Sequence, residues 1–108
     1  MFARMIQLVA KPGRGKELQK TLLERSVRVL KEQPGFVDEI ALVPETDQDQ
    51  FVGISIWKSK SDADKFRYGQ GEQLMESYKP LLQTEPTFRS FNVENSTILE
   101  TSSRAASR

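Results

Sequence analysis

A chain of 108 residues, 37% hydrophobic and 29% charged, has room for one globular domain and is too apolar for general disorder. Sixteen basic against fifteen acidic residues leave a net charge of +1, too weak a field to gather nucleic acid or an anionic membrane. Cysteine and histidine are both absent, which excludes disulfides, thiolate metal sites, cysteine nucleophiles and the commonest general base, zinc ligand and haem ligand.

The opening run, MFARMIQLVA, carries Arg4 inside its apolar stretch and is followed by no small-residue cleavage site. It reads as a strand rather than a signal peptide, and no apolar run reaches membrane-span length, so a cytoplasmic protein is expected. Phe2 to Ala10 forms that first strand, and Pro12-Gly13 turns the chain. From Gly15, Leu18, Leu22, Leu23, Val27 and Leu30 recur at helical spacing among Lys, Glu, Gln and Arg; Pro34-Gly35 stops this amphipathic helix. Phe36 to Val43 is a second strand, closed by Pro44 and the polar loop ETDQDQ. Phe51 to Trp57 is the third, and the short polar loop suits an antiparallel hairpin.

Ser61 followed by Asp64 resembles a capping box and places the start of a second helix there. Its apolar stripe is Ala63, Phe66, Leu74, Met75, Tyr78, Leu81 and Leu82. Gly69 and Gly71 interrupt it, at a cost of about 1 kcal/mol each against alanine, so a kink or a break is expected; Pro80 limits its length. A last strand, Phe88 to Glu94, follows Pro86. The predicted domain is 2–95. The tail, 96–108, either crosses to a partner subunit through Ile98-Leu99 or is loose.

The order β-α-β-β-α-β predicts an α+β, ferredoxin-like fold with an antiparallel sheet. Two helices cover one face of such a sheet, so the strands should alternate apolar with polar. They do not. Val52, Ile54 and Ile56 oppose Phe51 and Trp57; Phe36, Ile40 and Leu42 oppose Val37, Ala41 and Val43; Phe88 opposes Phe91 and Val93. A second copy of the chain is the expected cover, across an interface of roughly 2,000 Å² or more.

Three stretches carry a resemblance: AKPGRGKELQKTL, PGFVDEIALVPE and ISIWKSKSDADKF, the last with Trp57-Lys58-Ser59 just before the second helix. Over about residues 2–95 the chain resembles the antibiotic biosynthesis monooxygenase family, which implies a dimeric α+β barrel. That family includes cofactor-free oxygenases of polyketide-like phenols, haem-degrading enzymes and other small-metabolite enzymes. The haem-degrading branch uses an Asn, a Trp and a His, whose places here fall near Ile6, Phe66 and Glu76. None matches.

The resemblance therefore implies a monooxygenase with no cofactor and no metal, working on a small apolar aromatic or polyketide-like molecule. Such an enzyme takes a proton from its substrate, buries the anion, admits oxygen and excludes water, which requires an apolar pocket with few polar groups. The lining candidates are Gln7, Trp57, Phe66, Tyr68, Met75, Tyr78 and Phe91, with Arg67 or Arg89 to stabilise an oxyanion. The structural alternatives are plain core for Phe66, Met75 and Phe91, dimer packing for Trp57, core with a rim hydroxyl for Tyr78, and surface ion pairs for the two arginines. No residue stands out as the base. An isomerase, or a non-catalytic ligand-binding or interaction module, is the main rival. RNA recognition asks for a basic residue and glycine followed by two further aromatics in the third strand, where QFVGISIW has aromatics only at Phe51 and Trp57, and a metal chaperone lacks Cys-x-x-Cys.

Overall fold

The computed structural model describes residues 1–97. The expected Ile98-Leu99 contact, and the tail beyond it, lie outside the described residues. The elements are β1 (Phe2–Val9), α1 (Gly15–Lys31), β2 (Phe36–Leu42), β3 (Gln50–Trp57), α2 (Lys60–Arg67), α3 (Gln70–Tyr78), a 3₁₀ turn (Lys79–Leu81) and β4 (Thr87–Asn92). The strands form one antiparallel sheet in the order β2-β3-β1-β4, the ferredoxin-like arrangement expected from the element order.

Local chemistry explains the joints. Gly13 and Gly35 hold positive φ of 79° and 78°, where a side chain would be strained. The Asp49 carboxylate accepts from the backbone N–H of Gly13 and of Gly15, both at 3.0 Å, which pins the β2–β3 loop to the N-terminus of α1. A Cβ on Gly15 would strike the Gln48 backbone, so the approach needs glycine.

The second helical region is broken rather than kinked, with Gly69 standing at the N-cap of α3. Its start is also one cap earlier than expected. Ser59 is the N-cap, accepting from the Asp62 N–H at 3.1 Å and donating to the Asp62 carboxylate at 2.9 Å. The sequence SKSDAD contains the pattern twice, and Asp64 is taken by Arg4.

One bulge corrects the expected faces of β2. Phe36 pairs with Trp57 and Asp38 with Ile56, so the register slips at Val37. Phe36 therefore shares the helix side with Trp57, while Ile40 and Leu42 lie on the opposite side beside Ile54 and Val52. Leu23, expected in the α1 stripe, is exposed, whereas Leu18, Leu22 and Leu30 are buried. Two clusters fill the helix side: Leu8, Leu18, Leu22, Phe51, Tyr78, Leu81 and Leu82 at one end, and Phe2, Leu30, Trp57 and Ala63 at the other.

Candidate functional site

Cross-strand partners point to the same side of a sheet, so the register sorts the helix side into rows. Asn92, Phe2, Trp57 and Phe36 make one row; Phe88, Ile6, Gly53 and Ala41 make another. Between them runs a polar row across all four strands: Ser90, Arg4, Ser55 and Glu39. A cavity of about 310 Å³ lies between this floor and the helices. Its floor includes Arg4, Ile6, Glu39, Gly53, Ser55 and Trp57, and its roof includes Phe66, Arg67, Leu74 and Met75.

Gly53 keeps the floor low. A Cβ there would meet Ile6 at 3.2 Å, Phe51 at 3.3 Å and a Glu39 carboxylate oxygen at 3.6 Å. Trp57 closes one wall. Its ring lies 5.6 Å from Phe36, edge-on, and 5.5 Å from Phe66, and its indole N–H donates to Ser55 at 2.8 Å. That bond fixes the ring and leaves an apolar surface.

The polar row is electrically unusual. Burial, and secondarily the neighbouring Asp38, push the Glu39 carboxyl above its ordinary pKa. Its Oε2 is shielded from water and has no hydrogen-bond partner among the described residues. Arg4 is only 7% exposed, and its bonds leave through one nitrogen, Nη2, to Asp64 at 2.8 Å and Ser90 at 3.4 Å. Nε and Nη1 have no hydrogen-bond partner among the described residues. Leaving a buried donor or acceptor unpaired costs about 1–3 kcal/mol, so such groups call for a reason. Asp64 is held below its ordinary pKa, first by the Arg4 hydrogen bond and then by Lys60, whose Nζ lies 3.3 Å away.

Of the expected site residues, Trp57, Phe66, Arg67, Tyr68 and Met75 come together around this cavity. Among the described residues Arg67 meets rings rather than a carboxylate: its guanidinium stacks 3.9 Å from the Phe88 ring and 5.2 Å from Tyr68, at the cavity edge. Tyr68 is 67% exposed at the mouth. Tyr78 is fully buried behind the cavity, its hydroxyl 2.6 Å from that of Ser26. Burial raises its pKa above the ordinary value.

Gln7 and Phe91 are elsewhere. Gln7 pairs with Val52 and Phe91 with Ala3, so both point to the sheet's other side; Arg89, paired with Met5, stacks 5.1 Å from Phe91 there. One residue of strand parity decides this. Arg4, Glu39 and Ser55 were missed among the expected site residues. The available signal was charge inside otherwise apolar strands, Arg4 in FARMIQLV and Glu39 in FVDEIAL.

A family model for antibiotic biosynthesis monooxygenases matches residues 1–70. The chain belongs to that family. No curated protein sequence matches it. Among solved structures, the NE2512 protein of unknown function from Nitrosomonas europaea is similar at a TM-score of 0.78 and 20% identity, covering 89% of this chain and 91% of that one. SnoaB, a cofactor-independent oxygenase from Streptomyces nogalater, is similar at a TM-score of 0.74 and 15% identity, over 89% and 95% of the two chains. PA3566 from Pseudomonas aeruginosa is similar at 0.72 and 15%, over 87% and 94%. At these identities the likeness establishes the family's fold. Among the described residues, no group of His, Cys, Asp and Glu is arranged to hold a metal ion, and no helix is long and apolar enough to cross a membrane.

Proposed function

We propose that this family member is a cytoplasmic, cofactor-independent monooxygenase of a small aromatic or polyketide-like molecule, bound in the cavity over the polar row. The observation that carries the reading is Glu39, a carboxylate of raised pKa without a partner at Oε2, lining an otherwise largely apolar cavity. A carboxylate of raised basicity is suited to take a proton from an anthrone or hydroquinone. Arg4, or Arg67 at the cavity edge, stabilises the resulting anion. In an anthrone-type conversion, a CH₂ and O₂ become a C=O and water, with the substrate supplying all the electrons. Trp57 and Phe66 provide the apolar wall that shields the anion from water.

Oxygen uptake by the purified protein against anthrones, naphthohydroquinones and catechols tests this. Uptake above the uncatalysed rate is expected, falling about a hundredfold or more in Glu39→Gln with the fold intact. No uptake over the whole panel overturns the oxygenase reading in favour of an isomerase or binding module.

The same reading includes a homodimer. The side of the sheet facing away from the helices carries Ala3, Met5, Val52, Ile54, Ile56, Ile40, Leu42 and Phe91, and no described element packs over it. A second copy applied face to face would remove this surface from water, at about 25 cal/mol per Å² of apolar area. Light scattering at twice the 12.3 kDa chain mass supports it, and a monomer at micromolar concentration overturns it.

A further inference from the structure

Along the inward face of α1, Leu18, Leu22, Ser26 and Leu30 follow one another at one-turn spacing. The three leucines are buried, and Leu22, Ser26 and Leu30 line the cavity together. A serine therefore stands where the stripe calls for an apolar side chain. Its Oγ lies 2.6 Å from the hydroxyl of Tyr78, a side chain with no exposed surface.

The surroundings decide which hydroxyl donates. Among the described residues, neither makes another hydrogen bond. If Ser26 donated, the Tyr78 proton would be left unpaired in a fully buried place, the costlier arrangement. The phenol is also the more acidic hydroxyl and the stronger donor, and burial, which raises its pKa, keeps it protonated. Tyr78 therefore donates to Ser26, and the proton of Ser26 is left without an acceptor. Other helical hydroxyls turn back on their own helix: Thr21 donates to the Glu17 carbonyl at 2.9 Å and Ser77 to the Leu74 carbonyl at 2.6 Å. Ser26 makes no such bond, and the cavity it lines gives its O–H room to point.

We propose that Ser26 donates a hydrogen bond to the carbonyl oxygen of an aromatic ketone bound in the cavity, with Tyr78 as the positioning residue behind it. The proposal rests on the reading of this cavity as the substrate site. A chain of two hydroxyls polarises along its length, so the bond from Tyr78 both orients Ser26 and strengthens its donation. In a substrate of the anthrone type, negative charge gathers on this oxygen once the C–H proton has gone to the base, and the donor is already aimed at it. No proton leaves Ser26.

Calorimetric titration of the full chain with 1-indanone and with indane, which lacks the oxygen, tests it, together with the infrared carbonyl stretch of bound 1-indanone. The ketone is expected to bind about tenfold tighter than the hydrocarbon, the scale of one hydrogen bond in a shielded site. Its carbonyl stretch should lie below the value in a hydrocarbon solvent. Ser26→Ala should bring the two ligands to within about twofold and return the stretch to the hydrocarbon-solvent value, with indane binding unchanged. Tyr78→Phe should act in the same direction, because Ser26 is then free to turn to the Leu22 carbonyl, as Thr21 turns to that of Glu17. Ser26→Ala by itself strands the buried Tyr78 hydroxyl and loses stability for that reason. The double variant Ser26→Ala/Tyr78→Phe removes both partners and keeps the test decisive. A folded double variant with the parent's preference for the ketone and its lowered stretch overturns the proposal. So does a parent that binds both ligands equally, a result that leaves the cavity standing as the substrate site. Binding of neither ligand to the parent overturns both.

Discussion

On the helix side of the sheet, Phe2, Leu8, Phe51 and Trp57 are 5% exposed or less, and the polar row of Arg4, Ser55 and Glu39 is set among them. On the other side, Ile40, Leu42 and Phe91 are each 40% exposed or more, and apolar side chains occupy most of the positions. The same strands supply both. The helix side has its own cover, so it tolerates a few buried polar atoms and encloses a cavity around them. The open side has no cover among the described residues, and its surface is suited to a like surface. The proposed chemistry belongs to the first and the proposed association to the second.

The sharpest test of that division is a pair of large substitutions. Trp57→Ala should cost about 3–5 kcal/mol in urea unfolding, because the ring is 1% exposed and touches Phe36 and Phe66. Equal stability of the variant and the parent would mean the wall is not packed. Ile54→Lys, on the open side, should instead convert the proposed dimer to a monomer in light scattering. Each subunit would lose roughly the 1.5–3 kcal/mol of a buried isoleucine, besides gaining a charge that the interface must bury. If Ile54→Lys left the mass and the melting temperature unchanged, the open side would not be the interface.

Glu39→Gln separates activity from stability on the helix side. Its raised pKa means that, between the ordinary glutamate value and the folded value, the native state holds more proton than the unfolded chain. Stability contributed by this position therefore falls as pH rises through that window, and the penalty is fully present above it. The glutamine variant should melt higher than the parent at neutral pH, with the gain closing as pH falls into the carboxylate range. A parent that melts higher at neutral pH would show that the charge has a partner.

The smallest effect is expected at Asp64, whose pKa is depressed by Arg4 and Lys60. Its contribution is present above the ordinary aspartate value and is lost as pH falls through the folded value. Asp64→Asn should thus lower the melting temperature slightly at neutral pH and match the parent in acid. A difference that persisted in acid would assign the loss to packing rather than charge.

The element order was legible in the sequence because periodicity and punctuation are local. Leu18, Leu22 and Leu30 mark α1, and Pro34-Gly35 ends it; the second helical region breaks at Gly69, where a glycine's cost predicts it, while Gly71 lies within the first turn of α3. The mixed apolar character of both strand faces was equally visible, since parity within β1, β3 and β4 needs no partner.

The cap of α2 was a matter of tertiary contact. Two Ser-x-x-Asp patterns overlap there, and Arg4, sixty residues earlier, takes the second aspartate. The bulge at Val37 likewise decides which β2 side chains join Trp57 and which lie beside Ile54.

By itself, then, the sequence determined the α+β order, the place of the breaks and the apolarity of both sheet faces, because each depends on residues close together in the chain. Register was decided only in the folded molecule. It set Arg4, Ser55 and Glu39 in one row and turned Gln7 and Phe91 away from the cavity. Cross-strand alignment joins residues far apart in sequence, and a slip of one position reverses the face of every side chain that follows.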